Sequence, residues 1–166
     1  MAITFLTNED EKLIKSKSGT VINLVEKYGV DPVYENKNDC TALINQAIQE
    51  ATAEDKKTSG DTLYLPPGQY YTTGTIVVNK SVNLKFDGAI EYQGMGFAME
   101  FSNYNYCKAE INRIRTGTGS CIKLSSNSTI SNGHITYSTF KFNRLSANSN
   151  SGYCIYAETK GNGYIN

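Results

Sequence analysis

The sequence predicts an all-β solenoid, a parallel β-helix, with helical structure confined to its front. Two observations carry this expectation. The segments AMEFSN (98–103), CIKLSS (121–126) and CIYAET (154–159) align with Met99, Ile122 and Ile155 in register, 23 and then 33 residues apart. Between them EINRIR (110–115) and KFNRLS (141–146) fall in register as well, and self-similarity at such periods without an intervening helix is how stacked coils read in a sequence. The second observation is compositional. Helix formers thin out after residue 55, while Asn, Ser, Thr, Gly and Tyr crowd in, which suits short strands joined by tight turns.

Taken in order, the front offers two helices. In TNEDEKLIKSKSG, Thr7 and Asp10 resemble a capping box, acids fill the first turn, lysines the last, and Gly19 marks the stop. A helix so short and polar needs an apolar partner for Phe5, Leu6, Leu13 and Ile14. The second, over 38–55, starts from Asn38 or Asp39 as cap and lines up Leu43, Ala47, Ile48 and Ala51 on one stripe. Strand patterning follows. Leu63 and Leu65 alternate with Tyr64 before the turn forced by Pro66, Pro67 and Gly68, and three further runs are expected at 75–78, 82–86 and 89–92. These runs alone allow stacked hairpins or a climbing coil, and the repeat selects the coil. Neighbouring coils would lie about 4.8 Å apart, each adding one apolar residue to shared ladders. The ten extra residues of the second interval, within NSTISNGHITYS, are expected to bulge from one turn.

The repeated Asn-Arg has a structural reading. Ile111 and Ile114 are three apart and would point to opposite faces of a straight strand. A left-handed Asn112 would bend the chain so that both point inward, and Asn143 would do the same for Phe142 and Leu145. Stacked coils would then set Asn112 beside Asn143, with Arg113 and Arg144 outside.

Composition also limits function. Lys and Arg balance Asp and Glu at 16 each, which offers nucleic acid no general attraction. No stretch approaches the roughly 20 apolar residues of a membrane span, and the acidic N-terminus is unlike a signal peptide. The four cysteines, Cys40, Cys107, Cys121 and Cys154, are widely spaced, and His134 is the only histidine, so no metal site and no cofactor are expected; all four thiols read as reduced and buried.

The stretch VINLVEKYGVDPVYENKNDCTALINQAIQEA, continuing into GDTLYLPPGQYY, resembles the opening of pectate-lyase-like right-handed parallel β-helix domains. Those domains begin with a strand ending in Tyr-Gly-Ala, an Asp-Thr pair, an Ala-Ile-Gln-x-Ala-Ile helix and a strand ending in Pro-x-Gly-x-Tyr. The matching residues are Tyr28, Gly29, Asp39, Thr41, Ala42, Ala47, Ile48, Leu65, Pro66, Gly68 and Tyr70. Val30 departs from the usual Ala, Cys40 splits the Asp-Thr pair, and DPVYENKN lacks the usual Gly-Asp-Gly.

The module is common in bacteriophage tailspikes and tail fibres. The resemblance therefore implies a virion-attachment leader at 1–19 that docks on other tail or baseplate proteins. A β-helix domain would occupy 20–166, with coils over 61–166 that continue past Asn166 or are covered by a partner. The assembly implied is a homotrimer in the virion that recognises host surface polysaccharide, with degradation as an optional further activity. A free-standing bacterial polysaccharide hydrolase and a tail adaptor without carbohydrate activity are the alternatives.

Sites are thinner. Carboxylate candidates for hydrolysis are Glu91, Glu100, Glu110 and Glu158, and a glycosidase needs two about 5 to 9.5 Å apart. A lyase would draw on Asp residues for calcium, yet none follows Asp87. His134 reads as an exposed turn residue, and catalytic residues stay unassigned. Tyr104, Tyr106 and Tyr153, joined by Tyr137 and Tyr156, are candidates for stacking against sugar rings.

Overall fold

A computed structural model describes residues 19–53, 60–102, 104–127, 134–160 and 165. Phe5, Leu6, Leu13 and Ile14 of the expected leader, and the first part of the expected insertion, lie outside them.

The chain enters as β1 (Val21–Asn23) and turns at once into α1 (Leu24–Tyr28). The family resemblance implies a strand running up to Tyr28 and Gly29. Asn23 ends it early, because its Oδ1 accepts the N–H groups of Val25 at 3.1 Å and Glu26 at 3.5 Å as an N-cap. Gly29 closes α1 at φ 69°, a left-handed stop that a glycine takes without strain.

A single 3-10 turn (Tyr34–Asn36) precedes α2 (Thr41–Glu50), shorter than the expected 38–55. Asp39 acts one position before the N-cap residue Cys40. Its Oδ1 accepts the Thr41 N–H at 2.9 Å and hydroxyl at 2.6 Å, while Oδ2 accepts the Thr73 hydroxyl, tying the helix start to a later turn. The buried stripe is Ile44, Ala47, Ile48 and Ala51; Leu43, one residue round the helix, sits half-buried at its edge.

Eleven strands follow: β2 (Thr62–Leu65), β3 (Gln69–Thr72), β4 (Ile76–Val78), β5 (Asn83–Tyr92), β6 (Phe97–Phe101), β7 (Tyr104–Asn105), β8 (Lys108–Thr116), β9 (Ser120–Asn127), β10 (Ile135–Thr136), β11 (Thr139–Ala147) and β12 (Ile155–Lys160). They form three sheets with only parallel pairing. The first runs β1-β2-β5-β8-β11 with β3 also on β5, the second β4-β6-β9-β12, and the third pairs β7 with β10. The chain visits the sheets in turn, adding a strand to each on later circuits. Met99 pairs with Ile122 and Ile122 with Ile155, and Phe142 and Leu145 pair with Ile111 and Ile114, as the repeat predicts.

One apolar cluster fills the space between the sheets. Ile76, Met99 and Ile122 are fully buried rungs of one ladder, whereas Ile155 on the last circuit is 49% exposed because no described strand covers it. The opposite edge of that sheet, β4, is covered by α2. Asn45 reaches it with both ends of its amide, donating from Nδ2 to the Thr75 carbonyl at 3.0 Å and accepting the Val77 N–H at 2.8 Å.

Four further expectations change. The runs 82–86 and 89–92 are one strand, β5. Neither Asn112 nor Asn143 is left-handed, since the non-glycine residues with positive φ among those described are Lys37, Tyr106 and Tyr137. The step is taken by β5 instead: Phe86 pairs with Ile111 and Ala89 with Arg113, so Asp87 and Gly88 face the single residue Asn112. Ile111 and Ile114 are both buried, with Asn112 and Arg113 between them pointing out. The stacked amides do form, Asn143 Nδ2 donating to Asn112 Oδ1 at 3.2 Å and Asn112 Nδ2 to the Asp87 carbonyl at 2.9 Å.

The end of the expected insertion is not a bulge: Ile135 and Thr136 are a regular strand paired with Tyr104 and Asn105. Cys40, Cys107 and Cys121 are buried free thiols, but Cys154 is exposed, because it lies on the uncovered last circuit.

Candidate functional site

Strand alternation turns one set of side chains of the first sheet outward, and there the polar chemistry collects. β5 presents Lys85 and Asp87, β8 presents Glu110 and Asn112, and β11 presents Lys141 and Asn143, which together line a 330 Å³ groove. The register stacks Lys85, Glu110 and Lys141 in one row of alternating charge. The Lys85 ammonium lies 3.2 Å from Asp87 and 3.4 Å from Glu110, and these two bonds, that to Asp87 first, raise its pKa.

The other carboxylate candidates are also engaged. Glu91 is fully buried under Arg113 and Arg115, each at 2.6 Å, closed away from any polymer on the surface. Glu100 and Glu158 share Lys123 at 3.4 and 2.9 Å, and the bond from Lys123 holds the Glu158 carboxyl below its usual range. All four are thus paired with cations, and Glu110 shares Lys85 with Asp87. Among the described residues no group of three or more His, Cys, Asp or Glu is placed to hold a metal ion, and no helix is long and apolar enough to cross a membrane.

His134 is half-buried rather than an exposed turn residue, because its carbonyl accepts the Tyr104 N–H at 3.1 Å where the third sheet forms. The tyrosines divide. Tyr104 cannot touch a sugar, because it is fully buried against Phe101 and Phe140 with ring centroids 5.2 and 5.4 Å away, and burial pushes its phenol pKa upward. Tyr106 (47% exposed) stacks on Tyr137 (70%), while Tyr153 (54%) lies against Tyr156 on the last circuit. Asp39, Thr41, Ala47 and Ile48 serve the helix and its junction, away from this face.

A family model described as rhamnogalacturonase A/epimerase, pectate lyase-like, matches residues 21–153. The chain belongs to this pectate-lyase-like family. No curated protein and no solved structure matches the chain. In this pectate-lyase-like chain, sequence reasoning missed Lys85, Asp87 and Lys141 as members of the groove. The signal was present in the same alignment: residues in register with Glu110 on adjacent strands are its spatial neighbours.

Proposed function

We propose that this chain is part of a phage tailspike or tail fibre that recognises host surface polysaccharide on the outer face of its first sheet, and that its three parallel sheets close as a right-handed β-helix. The observation that carries recognition rather than cleavage is the engagement of every carboxylate candidate. Each of Glu91, Glu100, Glu110 and Glu158 is committed to an ammonium or guanidinium, while the groove beside Glu110 offers amides, ammonium groups and carboxylates suited to sugar hydroxyls. Family membership supports a carbohydrate ligand. In this reading the chain is a homotrimer attached to the tail through residues 1–19.

The full chain, incubated with a panel of bacterial capsular, lipopolysaccharide, cell-wall and plant cell-wall polysaccharides, should bind at least one without generating new reducing ends. New reducing ends would replace this reading with a polysaccharide hydrolase. Neither binding nor shortening would leave the structural adaptor. Mass photometry should show trimers; monomers that fold equally well without residues 1–19 would point to a free-standing enzyme.

A further inference from the structure

We propose that Tyr106 and Tyr137 form a stacking subsite for a pyranose ring, at the rim of a groove whose Lys108 and Glu110 receive the sugar hydroxyls; this rests on the polysaccharide reading above. The first observation is backbone conformation. Tyr106 has φ 60° and Tyr137 φ 52°, a region where a bulky residue is an outlier and is strained. Both are nevertheless exposed, on consecutive circuits, with rings 5.1 Å apart and 9° from parallel.

One circuit earlier the connection is two residues shorter, five between Val78 and Leu84 against seven between Phe101 and Ala109, and Ser81 there takes no positive φ and accepts the Asn105 N–H on its Oγ at 3.0 Å. One stacked aromatic pair also returns less than two strained backbones cost. The turn sets Tyr104 and Cys107 inward and Tyr106 outward, and the exposed, nearly parallel ring pair that it leaves on the surface points to a ligand.

The surroundings state which ligand. Tyr106 borders a 410 Å³ groove together with Asn83, Lys85, Lys108 and Glu110. One face of its ring is taken by Tyr137, which fixes its plane. An aromatic surface suits the C–H face of a pyranose, and the ammonium and carboxylate beside it supply a donor and an acceptor for hydroxyls. Tyr106 is the contacting residue and Tyr137 the positioning one.

Glycine accepts positive φ, so Tyr106→Gly and Tyr137→Gly remove the rings while relieving strain. Binding of these variants, of Tyr106→Phe and of the wild type is measured by calorimetry on whichever panel polysaccharide the wild type binds, with far-UV circular dichroism as the folding control. Tyr106→Gly should lose about tenfold or more in affinity, Tyr137→Gly less, and Tyr106→Phe should stay within about threefold. Undiminished affinity in Tyr106→Gly would overturn the subsite and leave the polysaccharide reading standing. A wild type that binds no member of the panel overturns both.

Discussion

Gly88 lies where β5 takes its extra step, and the step leaves no room for a side chain. A Cβ there would stand 2.6 Å from the Pro66 carbonyl oxygen and overlap the Tyr70 ring, which is fully buried and held by its own hydrogen bond to the same carbonyl at 2.9 Å. Gly88→Ala should therefore destabilise the chain by about 1–3 kcal/mol in urea unfolding. An unchanged midpoint would mean that β5 slides freely past Tyr70. The asparagine pair next to it is unequal. Asn112 both donates to Asp87 and accepts from Asn143, whereas the Asn143 side chain, among the described residues, hydrogen-bonds to Asn112 alone. With normal backbone at both, no strain adds to these bonds, so Asn112→Ala should cost about 1–2 kcal/mol and Asn143→Ala about 0.5–1. Equal losses in the same urea titration would contradict the ladder account.

At the scale of elements, the contact that sets where stacking begins is α2 against β4. A parallel sheet exposes a row of N–H and C=O groups at its edge, and Asn45 satisfies one of each. Asn45→Ala leaves the Thr75 carbonyl and Val77 N–H without these partners, so a loss of about 2 kcal/mol is expected, together with faster amide exchange at Val77. Unchanged exchange at Val77 would show that water serves that edge equally well. The elements were legible in the sequence to different depths, for a physical reason. Parallel in-register stacking places like beside like, so Met99, Ile122 and Ile155 announce their ladder in the letters themselves. The step in β5 could not be seen, because it exists only relative to β8. Nor could the fate of Tyr104 and Tyr106: two residues apart, they would share a face of any strand, but the positive φ at Tyr106 turns it outward while Tyr104 stays in the core. The cover over Glu91 was equally hidden, since Arg113 and Arg115 come from the next circuit.

At the scale of the whole molecule, one apolar cluster joins the circuits, so a proton lost inside it is felt as a loss of global stability. Several buried groups resist losing theirs, three of them strongly. Burial, and then the neighbouring Cys154, pushes the Cys121 thiol from its ordinary 9.0 to about 12. Burial, followed by the charge interaction with Cys40, pushes the Tyr70 phenol from 10.0 to about 12, and Tyr104 moves the same way by burial. Each folded value is raised, so the unfolded chain gives up these protons first. The stability they contribute is complete below pH 9 for the thiol and below pH 10 for Tyr70, and it is lost as pH climbs toward 12. Urea unfolding under reducing conditions should therefore give stabilities that fall progressively between pH 9 and 12. Cys121→Ala isolates one group, and Ala98 already fills the equivalent rung one circuit earlier, since Met99 pairs with Ile122. The variant should lose stability less steeply across that interval, by up to about 1.4 kcal/mol per pH unit for the one proton removed. A variant that falls as steeply as the wild type would mean that the Cys121 thiol meets solvent in the folded chain, and that the last two circuits open without the rest.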